Sequence, residues 1–232
     1  ARGQGAGGKA GAFQSSPRRG RPVGSRRGDP LTGARLHLQQ ISTARGLKSV
    51  QIAKEAGTLV TCEVSPHHLV LTEQDLRDYN THFKFNPPLR PAADVEALVA
   101  GFIDGSIDVL ASDHAPHTEF EKSSDFGSAP FGAAGLETAV PVIHDRFIRA
   151  GVFGWDLLIE RYSAAPRRLA GFAPVAIAEG EKAEFFVFDP ESETPVTRET
   201  MKTKSPVTPF LGKTLAGRVC GTALGGEWYG QG

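Results

Sequence analysis

The strongest constraint on what this chain can fold into is an alternation between residues 35 and 111. Short apolar, β-branched runs there are separated by amphipathic runs. Residues 35–41 (RLHLQQI) alternate like a short strand. Ser42 and Thr43 then supply a helix N-cap. Leu47, Val50, Ile52, Ala53 and Ala56 follow at helical spacing, and Gly57 ends that helix. Residues 58–64 (TLVTCEV) are short and β-branched, as a buried strand is. Strand, helix and strand in this order make a βαβ unit. Residues 92–103 (AADVEALVAGFI) predict a second amphipathic helix and residues 107–111 (IDVLA) a third buried strand. Pro87 and Pro88 forbid a helix between these units and set an extended turn. The pattern requires a parallel α/β sheet, in which ligand sites gather past the C-terminal ends of the strands.

The 232 residues carry 26 Lys and Arg against 26 Asp and Glu, but the charge is unevenly placed. Residues 1–30 hold seven bases, one acid (Asp29) and eight glycines, and no hydrophobic period. Such a segment cannot bury enough surface to offset its ordering entropy. It reads as a basic Gly/Arg-rich leader without order. A basic arm for RNA or an acidic partner is the alternative, disfavoured because Gly and Arg are scattered and no aromatics interleave to stack bases. The rest of the chain is acidic and repels nucleic acid. Cys62 and Cys220 are too few for a disulfide scaffold or a cysteine zinc site. No apolar stretch approaches membrane-spanning length and no signal-peptide core is present. A cytoplasmic setting is the default expectation.

Past a Gly/Ser/Phe loop at 123–135, helices are predicted at 136–150, 154–162 and 163–170. Short strands follow at 183–189, 215–222 and 227–229, separated by Gly and Pro. The expected organisation is a leader at 1–30, an α/β portion at 31–175 and a small β module at 176–232.

The candidate chemistry sits after the strands. Asp113, His114 and His117 follow the third strand within five positions. A carboxylate there can bind a divalent metal, and a nearby His can bind substrate or shuttle a proton. A solvated loop with a capping Asp is the alternative. His67 and His68 follow Ser65-Pro66 and are either ligands or outer donors. Otherwise one packs while the other bonds a loop carbonyl, which is the favoured reading. Asn86, rigidly presented before two prolines, suits recognition of a polar ligand or serves as a turn residue. His37, His82 and His144 read as structural or surface. No glycine pattern forms GxGxxG, GxxxxGK[ST] or GxSxG.

Several segments taken together carry a resemblance. VTCEVSPHHLVLT, FKFNPPLR, DGSIDVLASDHAPHT, Glu121-Lys122, APFGAAGLET and SPVTPFLGKTLAGRV resemble the C-terminal half of bacterial-type dihydroorotases, from about Leu31 to Tyr229. The resemblance implies part of a (β/α)8 amidohydrolase barrel with a small β-sandwich beside it. It implies zinc-dependent, reversible cyclisation of N-carbamoyl-L-aspartate to L-dihydroorotate in pyrimidine synthesis, by attack of a metal-activated water on the ring amide. Asp113 would be metal ligand and proton carrier. Asn86 and His117 would touch the substrate, and the backbone of Phe131 and Gly132 would complete the pocket.

The chain also departs from that pattern. Gln40 stands where the family has a metal-ligating His, and Gln is a poor zinc ligand. Val207 stands where Asn is usual. The HxH motif of the first barrel strand is not found. Three barrel strands cannot close a barrel, and a lone carboxylate does not hold catalytic zinc. Poor zinc binding by this chain alone is therefore expected. A non-catalytic dihydroorotase-like scaffold for aspartate carbamoyltransferase is one alternative reading, and another cyclic amidohydrolase such as hydantoinase or allantoinase is a second. The partner expected in the first reading is a small-molecule substrate; a homo-oligomer is left open.

Overall fold

The computed structural model describes residues 12–13 and 33–230. Two sheets organise these residues. The first has four strands in the order β1 (Ala12–Phe13), β2 (Leu36–Leu38), β3 (Val60–Val64) and β4 (Val109–Leu110). β2, β3 and β4 run parallel, as the βαβ pattern requires, with His37 opposite Thr61 and Val64 opposite Leu110. β1 pairs antiparallel with β2. The rest of residues 1–30, and with it the expected leader, lies outside the described residues.

The crossovers are α1 (Ala44–Glu55) and α3 (Ala92–Asp104). Thr43 caps α1, its hydroxyl accepting from the Gly46 amide at 3.0 Å. α3 ends at Gly105, whose φ of 88° is the left-handed cap conformation that glycine permits. β3 alternates in burial: Val60, Cys62 and Val64 face a core built with Leu47, Val50, Leu98, Phe102, Ile107 and Leu110. Thr61 and Glu63 lie on the opposite face, where both bond His37, at 2.8 and 3.0 Å.

β2 is shorter than the predicted strand at 35–41. Gln40 adopts φ 54°, which ends extended pairing two residues after Leu38. The polar stretch after β3 is also more ordered than a loop. Ser65 and Pro66 form an N-cap and first-turn proline for α2 (Pro66–Val70), and two single 3-10 turns follow.

α4 (Glu119–Lys122) opens the loop that leads to α5 (Ala139–Ile143), which continues as a π-turn over His144–Ile148. α6 (Trp155–Ile159) runs through a second π-turn into α7 (Ala165–Ala170), so the two helices predicted there are one continuous winding. β5 (Phe185–Pro195), β6 (Thr214–Leu224) and β7 (Glu227–Gly230) form a separate antiparallel sheet. His144, read as structural or surface, is structural: it is buried, stacks on Trp155 and bonds Ala216 O at 3.0 Å, tying helix to sheet.

Phe102 is fully buried in the first core, so Phe102→Ala is expected to cost about 3–5 kcal/mol. The shift of the urea midpoint checks this. Burial, with Asp108 beside it, pushes the Cys62 thiol up to about 12. A thiol titration at pH 8 is expected to find half-buried Cys220 in the native chain and Cys62 only after unfolding.

Candidate functional site

Parallel pairing delivers three chain exits to one edge of the sheet: Gln40 after β2, Ser65–His68 after β3 and Ser112–Asp113 after β4. Gln40 and Asp113 both take left-handed backbone, with φ of 54° and 49°. For residues with a Cβ this conformation costs on the order of 1–3 kcal/mol each, and it persists where the surroundings impose it. Here it turns the two side chains together, and the Gln40 amide donates to Asp113 Oδ1. Asp113 Oδ2 lies 3.4 Å from His67 Nε2. His67 is buried, stacks on Phe85 with ring centroids 3.9 Å apart, and its Nε2 makes no hydrogen bond of ordinary geometry. Burial pushes His67 below its usual range, while Asp113 pulls the other way.

His68 does a different task. Its Nε2 sits 3.0 Å from Pro87 O, and a carbonyl only accepts, so Nε2 carries the proton. Nδ1 then accepts from the Ser65 hydroxyl at 2.7 Å. Burial, and next the neighbouring His67, lower His68 to about 3, which keeps it neutral in this tautomer. The bond anchors the Asn86-Pro87 loop beside the strand ends, with the Asn86 side chain exposed. Of the two readings of His67 and His68, packing plus a carbonyl bond describes them, with Asp113 as a partner that the favoured reading did not include. The S-P dipeptide was the available signal, because it starts a helix and so fixes both rings.

The second group forms around the loop before α5. His117 Nε2 donates to Phe131 O at 2.9 Å, and its Nδ1 faces Glu121 at 3.8 Å. Phe131 is exposed and Gly132 buried. At Gly132, φ is 113° and a Cβ would stand 2.7 Å from Ala115 O, so this position requires glycine. Gly135 is equally confined, a Cβ there meeting Ser112 O at 2.6 Å. His114 is turned away from the Asp113 side chain, its Nδ1 accepting from the amides of Gly135 and Leu136, both at 3.2 Å. Its role is to dock this loop on the β4 exit. The structure thus groups Asp113 with Gln40 and His67, and His117 with Phe131 and Gly132. Asn86 is tied to the first group through the Pro87–His68 bond.

These donors do not make a metal site by themselves. Among the described residues, no three His, Cys, Asp or Glu side chains are placed to hold a metal ion. Asp113 has one imidazole near it, and the third neighbour is an amide already donating to it. The zinc that the resemblance implies does not fit these residues alone.

No family model matches the chain. Comparison with curated proteins gives a dihydroorotase of Carboxydothermus hydrogenoformans, 43% identical over 188 residues, 81% of this chain and 44% of the relative. A dihydroorotase of Deinococcus radiodurans is also 43% identical, over 197 residues, 85% of this chain and 47% of that relative. Both relatives are named dihydroorotase. The chain spans less than half the length of these relatives. Among solved structures, the L-hydantoinase (dihydropyrimidinase) of Arthrobacter aurescens superposes with a TM-score of 0.80 at 27% identity, over 87% of this chain and 46% of that one. The fold is therefore part of an amidohydrolase barrel, with three parallel strands of it present among the described residues.

The His68 tautomer has a consequence for stability. Its folded-state value lies below the ordinary 6.5, so the unfolded chain binds more protons between those limits. Stability from this group is full above pH 6.5 and declines as pH falls toward 3, by about 1.4 kcal/mol per pH unit. His68→Gln is expected to flatten that decline, leaving the part due to His67. Urea midpoints measured from pH 7 to pH 4 check it.

Proposed function

We propose that these residues are the C-terminal half-site of a dihydroorotase, an enzyme that interconverts N-carbamoyl-L-aspartate and L-dihydroorotate. The observation that carries the reading is the convergence of Asp113, His67 and Gln40 at one sheet edge in a chain 43% identical to dihydroorotases. Asp113 takes and returns the proton at the scissile amide, oriented by the Gln40 amide and faced by His67. His117 and Asn86 bind polar groups of the substrate. The Phe131 carbonyl is already engaged by His117, so Gly132 and the exposed Phe131 ring form the pocket wall. Residues 31–175 are read as the barrel portion and 176–232 as the β module. A small-molecule partner and a cytoplasmic location go with this reading, the latter supported by two unpaired cysteines. Among the described residues, no helix is long and apolar enough to cross a membrane.

Hydantoinase chemistry is the weaker reading, because sequence identity to the hydantoinase structure is 27% against 43% to dihydroorotases. A non-catalytic dihydroorotase-like scaffold, with aspartate carbamoyltransferase as partner, is favoured by one feature. The Gln40 amide satisfies the Asp113 carboxylate where a cation would otherwise be drawn.

Two measurements separate these readings. The purified chain dialysed against zinc is expected to retain well under one metal per chain, and Gln40→His to raise that figure. Tight stoichiometric zinc in the unaltered chain would refute the incomplete donor set. A chimera joining the first half of a dihydroorotase to this chain carrying Gln40→His is expected to open dihydroorotate. Asp113→Ala in that chimera should lower turnover by roughly 10²–10⁴-fold. A chimera active only on hydantoin, or one inactive but retaining stable carbamoyltransferase, selects the other readings.

A further inference from the structure

Two lysines outside the strand-end cluster are buried without a carboxylate partner. Lys84 is 6% exposed and Lys122 3%. Lysine–carboxylate pairing among the described residues is confined to Lys54 with Asp108. The ammonium groups are satisfied by main-chain oxygens instead. Lys84 donates to Gly127 O at 2.9 Å and Ala129 O at 2.6 Å. Lys122 donates to Thr81 O and Pro130 O, both at 2.9 Å. The Thr81 hydroxyl returns a bond to Lys122 O. Burying a charge is costly even when it is hydrogen-bonded, and removing it leaves the carbonyls it served without a donor. Burial, and next the charge of Lys84, lower Lys122 to about 8, which agrees with an ammonium held against that cost.

Three of the four acceptors belong to one stretch of backbone, the loop that ends in Phe131 and Gly132. The Lys84 carbonyl accepts from the Gly132 amide at 2.9 Å, and the Lys84 ammonium lies 4.6 Å from the Phe131 ring centroid. Lys84 also stands two residues before Asn86. It therefore links, through its own main chain and side chain, the two loops assigned above to substrate contact.

We propose that Lys84 and Lys122 are positioning residues that hold the 124–132 backbone in the shape the substrate pocket needs. The substrate part of this statement rests on the dihydroorotase reading; the clamp itself does not. A loop with three carbonyls tied to buried ammoniums is pre-organised, so a ligand binding there loses little to ordering.

The test is hydrogen exchange by mass spectrometry on the full chain, with Lys84→Met and Lys122→Met. Peptides covering 124–132 are expected to exchange at least about tenfold faster in each variant. Peptides from α3 should be unchanged, and each variant should keep a cooperative urea transition. Unchanged loop exchange in the folded variants overturns the proposal. So does global unfolding of both, which would make the ammoniums part of the core. Titration of the chimera described above, with and without each substitution, with N-carbamoyl-L-aspartate supplies the second readout. The folded variants should bind at least about tenfold more weakly, a change that a merely structural role would not produce. Equal affinity in folded variants counts against positioning. A chimera with both lysines intact that does not bind the compound overturns the dihydroorotase reading and leaves the exchange result to decide the clamp.

Discussion

Everything at the site depends on the parallel pairing of β2, β3 and β4. Parallel strands must be joined by crossovers, so all three leave the sheet at the same edge. Residues 46 positions apart (His67 and Asp113) and 73 positions apart (Gln40 and Asp113) become neighbours for that reason. The left-handed backbone at Gln40 and Asp113 then converts proximity into contact, turning each side chain inward as its strand ends. The core face of β3 supports the arrangement. Val60, Cys62 and Val64 pack on α1 and α3 and fix the register. A slip of one residue would send Glu63 and Thr61 into the apolar layer.

Around that edge, polar groups are buried only where main-chain atoms complete them. His68 is held between Ser65 and Pro87 O, and Lys84 and Lys122 each donate to two carbonyls. Backbone partners cannot move to new rotamers, so loops tied this way are rigid. The same rule explains Gly132 and Gly135. The loop carrying them approaches the Ser112–Ala115 backbone so closely that a Cβ would collide with a carbonyl oxygen. His67 is the exception, with a buried Nε2 left incompletely bonded and facing Asp113. A buried polar atom without a partner calls for an explanation, and the proposed chemistry at Asp113 offers one.

Much of the scaffold could be read along the chain. Helix spacing at Leu47 and Val50, the Thr43 cap, the β-branched run before Ser65 and the alternation of residues 92–103 are local signals. They survive because tertiary contacts agree with them. Short range misled in two places. Alternation over 35–41 suggested a strand longer than the one formed, because alternation says nothing about the positive φ at Gln40. The 154–170 stretch looked like two helices because a π-turn inserts extra residues without breaking the winding. Of the candidate residues, Asp113, Asn86, His117, Phe131 and Gly132 were visible as motifs after predicted strands or loops. Lys84 and Lys122 were not, since a buried lysine and a surface lysine look alike in sequence.

By itself, the sequence determined the kind of layer that forms, the edge of the sheet at which chemistry gathers, and a likeness to dihydroorotases carried by contiguous motifs. Each of these rests on period, caps and local order of residues, which one segment can express alone. Only the tertiary structure decided that Gln40 engages Asp113, that His67 faces it while His68 anchors Pro87, and that two ammoniums hold the loop of Phe131 and Gly132. Those outcomes depend on which distant atoms burial brings within hydrogen-bond reach, and no local pattern along the chain encodes that distance.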